Sequence, residues 1–192
     1  MKKYIILSLL VISSLATIAQ TTTWTSDPAH SRLGFKVKHL TISEIDGRFA
    51  DFSVTVTTAK ADYSDAQIEV TAKVASINTG VEARDNHLRS ADFFDAEKYP
   101  VLTFKSSKMK KTDEKRGKLY GDLTFHGVTK PVVLDVTYFG TVVNPMNKAE
   151  TAGFQILGSI KRSDFGLGAD FPEFVISDEI KIVANAEFSP KK

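Results

Sequence analysis

The sequence predicts an all-β protein of about eight antiparallel strands, closed as a barrel or stacked as a sandwich, with a short helical insertion near residues 79–94. Three observations predict it. After Gln20 the apolar residues recur with a period of two, the mark of strands with one face buried and one in water. Polar turn residues separate the runs, as at Asp46-Gly47, Asp113 to Gly117 and Asn144-Pro145. One long segment, Asn78 to Pro100, departs from the period.

The chain starts with an address. Met1-Lys2-Lys3 is positive, Tyr4 to Leu15 is apolar apart from serines, and Thr17-Ile18-Ala19 supplies small residues before Gln20. That is the three-part pattern of a secretory signal, with cleavage expected between Ala19 and Gln20. The apolar run is short for a membrane span and no basic stop-transfer flank follows. No cysteine follows either, which excludes a lipoprotein anchor. The expected organisation is therefore a signal peptide over 1–19 and one domain over 20–192. The mature protein is expected to be periplasmic or secreted, without an integral membrane span.

The strands follow in order. Leu33, Phe35, Val37 and His39 share one face, with Arg32, Lys36 and Lys38 on the other. Between Phe49 and Phe52 the parity slips by one residue, predicting a β-bulge near Ala50-Asp51. Phe52, Val54 and Val56 continue the inward face, then Ile68, Val70, Ala72 and Val74. Leu102 and Phe104 mark another strand, as do Leu119, Gly121, Leu123 and Phe125. Val132 to Tyr138, Ala152 to Ile160 and Ile180 to Phe188 supply the last three.

In the aperiodic segment Thr79 to Glu82 reads as a Thr-x-x-Glu capping box, with a helix running to Ser90. Asp85 and Arg89, four apart, read as a surface ion pair. An insertion of this length in a small barrel commonly lies across an open end. It would bring Arg84, Asp85, His87 and Arg89 close to Phe93 and Phe94.

Composition narrows the function. The 192 residues hold 25 Lys plus Arg, 23 Asp plus Glu and no cysteine. Lys2 and Lys3 account for the formal net charge of +2, so the chain beyond the signal is balanced. That balance argues against a nucleic-acid partner. Without cysteine there are no thiolate zinc sites, Fe–S clusters or disulfides. Nucleotide-binding, metalloprotease and serine-hydrolase motifs are missing, and His30, His39, His87 and His126 are scattered. No catalytic or metal-binding set is visible. The interior remains. An eight-stranded barrel is either filled by side chains or holds one small ligand. Gly121, Gly158, Ala72, Ala152, Ala184 and Ala186 on inward faces leave room for a tunnel lined by Phe35, Phe52, Phe104, Phe125 and Phe154. Alternatively, small residues merely face large ones across a packed core.

These residues resemble the YceI-like family. The resemblance is carried by Asp27-Pro28-Ala29-His30-Ser31, Gly34 to His39, and Gly47-Arg48-Phe49. Its most specific stretch is Arg84 to Ser90 with Asp92-Phe93-Phe94-Asp95, leading to Tyr99-Pro100. Gly121 to Thr124, His126 to Val132, Lys161 to Gly166 and Ser177-Asp178-Glu179 complete it. The resemblance implies a lipocalin-like antiparallel β-barrel of exported bacterial proteins, without enzymatic activity. Its ligand would be a long-chain apolar lipid: a polyisoprenoid, prenyl quinone or fatty-acid derivative, with no other cofactor. The lining would be Phe35, Val37, Phe49, Phe52, Phe93, Phe94, Phe104, Leu123, Phe125, Phe154 and Ile156. Arg84, His87 and Arg89 would form a rim for an anionic head group, or else clamp the insertion to the barrel. Arg162 and Asp164 are expected to fix the turn into Phe165. Two other functions stand beside this one: an enzyme acting on an isoprenoid lipid, and a filled barrel acting as an interaction module. A homodimer is compatible with each.

Overall fold

Among the described residues eleven strand segments make eight staves, because three staves are each broken once. The computed structural model describes residues 20–191, so the expected signal peptide lies outside the described residues. The first broken stave is β1 (Thr22–Ser26) with β2 (Arg32–His39), the second β3 (Ser43–Phe49) with β4 (Phe52–Thr58). The third is β5 (Gln67–Lys73) with β6 (Ile77–Asn78). The helix α1 (Glu82–Arg89) follows, then five unbroken staves: β7 (Val101–Lys111), β8 (Arg116–Phe125), β9 (Val128–Val143), β10 (Glu150–Lys161) and β11 (Ile176–Pro190).

All pairings are antiparallel. The ring runs β1–β4–β5–β7–β8–β9–β10–β11 and closes from β11 back to β1 through Trp24↔Pro190, Thr25↔Ser189 and Ser26↔Phe188. The same β11 pairs upstream with β2, which carries β3 and then β6. This is the predicted closed barrel, and the sandwich is not formed.

Two of the breaks have a local cause. Pro28 has no N–H to give to a ladder, and the Asp27 carboxylate accepts the Ala29 N–H at 2.8 Å to shape the turn. At Ala50-Asp51, where the bulge was predicted, the chain bends between β3 and β4. Its two N–H groups go to the Ser76 carbonyl and hydroxyl, each at 3.0 Å. Asp46-Gly47 is not a turn, contrary to the sequence reading: both residues lie inside β3, and the β2–β3 turn sits at Leu40 and Thr41, with φ of 50° and 63°. Gly47 is required there because the Phe35 ring covers it; a Cβ would lie 2.1 Å from Cζ of that ring.

Two aromatic clusters fill the barrel from its ends. At the α1 end, Phe49, Phe94, Phe125 and Phe165 pack in series with ring centroids 5.1–6.4 Å apart. At the far end Trp24, Tyr63, Phe154 and Phe188 do the same at 5.2–5.8 Å. The α1 end is sealed by residues of the insertion and by the turn after β10. There the Arg162 guanidinium is buried and donates to the carbonyls of Leu167, Gly168, Phe171 and Ile176 at 2.5–3.3 Å. Arg162 thus fixes this turn, as expected. The acid that bonds the turn is Asp178, through the Ser163 N–H and hydroxyl.

Candidate functional site

Between the two clusters lies a cavity of about 190 Å³. Every stave contributes to its wall. β4 supplies Phe52, Val54 and Val56, β5 supplies Ile68 and Val70, β7 supplies Phe104 and Met109, and β11 supplies Ile180, Ile182, Ala184, Ala186 and Phe188. Along β4, β5 and β11 these are alternate residues, as the pleat requires; in β7 a register shift between Ser106 and Lys108 brings Met109 onto the face of Phe104. Such a wall offers a ligand dispersion contact and release from water, with almost no hydrogen bonding.

Two bordering residues have polar ends capable of directed bonds. Arg32 is the sole charged one; its side chain is exposed, with Nε 3.3 Å from where a Cβ on Gly34 would lie. Tyr63 comes from the β4–β5 loop, with φ of 58°, a conformation unfavourable for a bulky residue. The loop is bonded in place. Asp65 accepts from the Thr58 hydroxyl and from the N–H groups of Ala59 and Lys60. Asp62 is pulled down to about 2 by the Ser64 N–H and hydroxyl and by Lys111. The Tyr63 hydroxyl lies 3.3 Å from Thr141 Oγ1, which is also 2.7 Å from the Tyr138 hydroxyl. Burial holds the Tyr63 phenol above the ordinary tyrosine range.

Of the predicted lining, Phe35, Phe49, Phe52, Phe94, Phe104, Leu123, Phe125, Phe154 and Ile156 border the cavity. Val37 and Phe93 do not. Val37 pairs with Ile45 and Ile180 near the outer end of the β2–β3 hairpin. Phe93 stacks on Phe171 at 4.7 Å and meets the His87 ring edge-on at 5.1 Å, behind Phe94.

The rim residues are employed elsewhere. Arg89 donates to the carbonyls of Ala75 and Ile77, at 2.8 and 3.0 Å, and to the Asn86 side chain. Arg84 donates to the Thr79 hydroxyl and carbonyl, at 2.7 and 2.8 Å. His87 faces Asp92 at 3.4 Å. The clamp is what the geometry provides. The capping box is replaced as well: Thr79 gives its N–H and hydroxyl to Asp85, at 2.8 and 2.5 Å, and Val81 takes the N-cap position without a side-chain bond. Asp85 is only 5% exposed, so it is not half of a surface pair with Arg89.

The small inward residues also divide. Ala184 and Ala186 border the cavity. Gly121 does not leave room; the Phe104 ring lies on it, 2.5 Å from where a Cβ would be, and Leu134 covers Gly158 equally closely. Ala72 and Ala152 are packed into the core.

Sequence reasoning missed Tyr63 and placed Arg32 only on an outer face. The signal for Tyr63 was an aromatic residue inside an otherwise polar loop, Lys60 to Asp65. Among the described residues, one grouping of metal-donor types lies within 4.8 Å: Asp27, His30 and Glu187. It is outside the lining, and His30 Nδ1 already meets Asp27 at 2.8 Å. No described helix is long and apolar enough to cross a membrane.

Comparison with known proteins agrees with this architecture. The YceI-like domain matches residues 24–188. The chain belongs to the YceI-like family. A UPF0312 protein of Staphylococcus aureus is 36% identical over 172 residues, covering 88% of this chain and 98% of that one. The crystal structure of the Campylobacter jejuni YCEI protein, 39% identical, superposes with a TM-score of 0.74 over 82% of this chain and 91% of that one. A polyisoprenoid binding domain from Saccharophagus degradans shares the fold at 19% identity, with a TM-score of 0.64 over 88% and 99% of the two chains. In this YceI-like chain the distinctive stretch Arg84 to Asp95 builds the sealed end of the barrel. Of its residues only Phe94 reaches the cavity.

Proposed function

We propose that this YceI-like protein is exported and holds a long-chain apolar lipid, a polyisoprenoid, prenyl quinone or fatty-acid derivative, inside the barrel without chemically altering it. The observation that carries the reading is the cavity wall, hydrocarbon on every stave with Arg32 and Tyr63 at its border. Each methylene transferred from water into such a wall is favourable by about 0.8 kcal/mol. The cavity is somewhat larger than an apolar cavity of about 150 Å³ that takes up benzene. It therefore holds one segment of a long chain, and the remainder needs side-chain rotation, for which Met109 and the cavity phenylalanines are placed. The polyisoprenoid binding domain of the same fold supports the choice of ligand class. A carrier role is supported by the wall's chemistry. An enzyme acting on the bound lipid is expected to use a buried histidine with a carboxylate partner, and His30, His39, His87 and His126 all stand outside the lining.

Native mass spectrometry of the protein purified after export tests this. A bound species of discrete mass is expected, and delipidated protein should take up prenols. Ala184→Leu and Ala186→Leu together should reduce uptake by about tenfold or more, because added methyl groups compete for the same space, while melting temperature stays level or rises. A ligand-free barrel that takes up neither prenols nor fatty acids would overturn the reading.

A further inference from the structure

The β9–β10 hairpin runs past its neighbour. β8 pairs with β9 only as far as Arg116↔Thr137, and the Tyr138 N–H then donates to the Lys115 carbonyl at 2.7 Å. Beyond that point Phe139 to Val143 have no β8 partner. This overhang is apolar and uncovered: Phe139 is 60% exposed, Val142 65%, Val143 62%, and Met146 at the turn 90%. Adjacent strand residues point to opposite faces, so Val142 and Val143 place apolar side chains on both sides of the ribbon. Phe139 shares the face of Gly153, where a Cβ would sit 3.7 Å from its own. A protein partner lying on one face would leave the other wet. The headgroup–acyl boundary of a bilayer surrounds an inserted tip on every side.

The position of the overhang points the same way. β1 begins at this end of the barrel, with Thr22 beside Thr58 and Trp24 beside Pro190. The described chain therefore enters the barrel at the end that carries the overhang. Lys115, Lys148 and Lys191 lie at this end and make no ion pair among the described residues, placing cations for headgroup phosphates. Asp113, Glu114 and Glu150 balance them, so insertion rather than charge must supply most of the attraction. Thr141, within the overhang, is the residue that Tyr63 and Tyr138 both contact.

We propose that the β9–β10 overhang dips into the headgroup–acyl boundary of a phospholipid bilayer and seats the barrel with its Tyr63 end against the membrane. The use of such seating, exchange of an apolar cargo, rests on the carrier reading; the seating itself does not.

The chain has no cysteine, so Met146→Cys and Ala91→Cys each carry a single environment-sensitive fluorophore, one on the overhang and one by the α1 end. The protein is purified after export, its N-terminus read by intact mass, and mixed with phosphatidylcholine vesicles at low and high salt. The Met146→Cys label should shift to the blue and be quenched by brominated lipid at both salts; the Ala91→Cys label should not respond. Combining Phe139→Ser, Val142→Ser and Met146→Ser should weaken vesicle flotation about tenfold or more through lost apolar contact, with an unchanged melting temperature. Equal response of the two labels, no response of either, flotation of the triple variant like the parent, or a shift without vesicles accompanied by a doubled mass would each overturn the proposal. Native mass spectrometry keeps the two readings apart. Bound lipid without flotation removes the seating alone, and flotation of a protein that takes up no lipid removes the carrier alone.

Discussion

Arg84 and Arg89 show how little a residue's type reveals before its partners are known. Each was a natural reader of a diphosphate or carboxylate, and each is occupied by groups of the protein. The cause lies in the broken third stave. Where β5 gives way to β6, the carbonyls of Ala75, an exposed residue, and Ile77, a buried one, lie outside the β5–β7 ladder, and a carbonyl at a buried residue needs a donor. The Arg89 fork reaches both. Hydrogen bonds from a charged donor contribute about 1.5–3 kcal/mol each, less where solvent reaches them. Arg89→Gln and Arg84→Gln are therefore expected to lower the denaturation midpoint, each costing about 1–3 kcal/mol. They should leave the ratio of affinities for a prenol and its diphosphate unchanged. A selective loss of diphosphate binding, measured by titration calorimetry, would return these arginines to the head-group role.

At the scale of the element, inward glycines serve as seats for large side chains. Phe35 rests on Gly47, Phe104 on Gly121 and Leu134 on Gly158. Alternation in the sequence showed which positions face inward, but not whether the space above a glycine is open. That depends on the rotamer of a residue in the neighbouring strand. Gly121→Ala brings a methyl group within 2.5 Å of both the Lys105 carbonyl oxygen and the Phe104 ring. Such overpacking typically costs about 1–3 kcal/mol. The expected result is a lower urea midpoint together with reduced lipid uptake, since Phe104 can yield only into the cavity it borders. An unchanged midpoint would show that Gly121 is not a seat. The capping box failed for a similar reason. Asp85 is better placed than the Thr79 hydroxyl to gather the free donors of that turn, because a buried carboxylate must be satisfied.

For the whole molecule, the decisive contact is the last one in the ring. Three residue pairs join β1 to β11, and Lys191 adds its N–H to the Thr23 carbonyl at 2.7 Å. No covalent link assists, as there is no cysteine. Removing residues 20–21 should leave the melting temperature in place. Removing 20–26 takes away Trp24 and exposes the edges of β4 and β11, and open edges pair with other chains. The shorter chain is expected to lose its cooperative transition and to aggregate, as read by calorimetry and light scattering. A monomeric, cooperatively melting product would show that closure is dispensable.

By itself the sequence determined what depends on neighbours along the chain: the period-two strands, the parity slip at Ala50-Asp51, the aperiodic insertion, and most of the aromatic residues that face inward. These are local properties of the pleat. Only the tertiary structure decided that the sheet closes as a ring, that Val37 and Phe93 stand outside the cavity, and that Tyr63 folds over its far end. It also decided that the insertion's arginines bond the backbone. Those outcomes rest on contacts between residues far apart in sequence, Trp24 with Pro190 or Tyr63 with Thr141. Periodicity reports which way a side chain points, and the fold alone settles what it meets there.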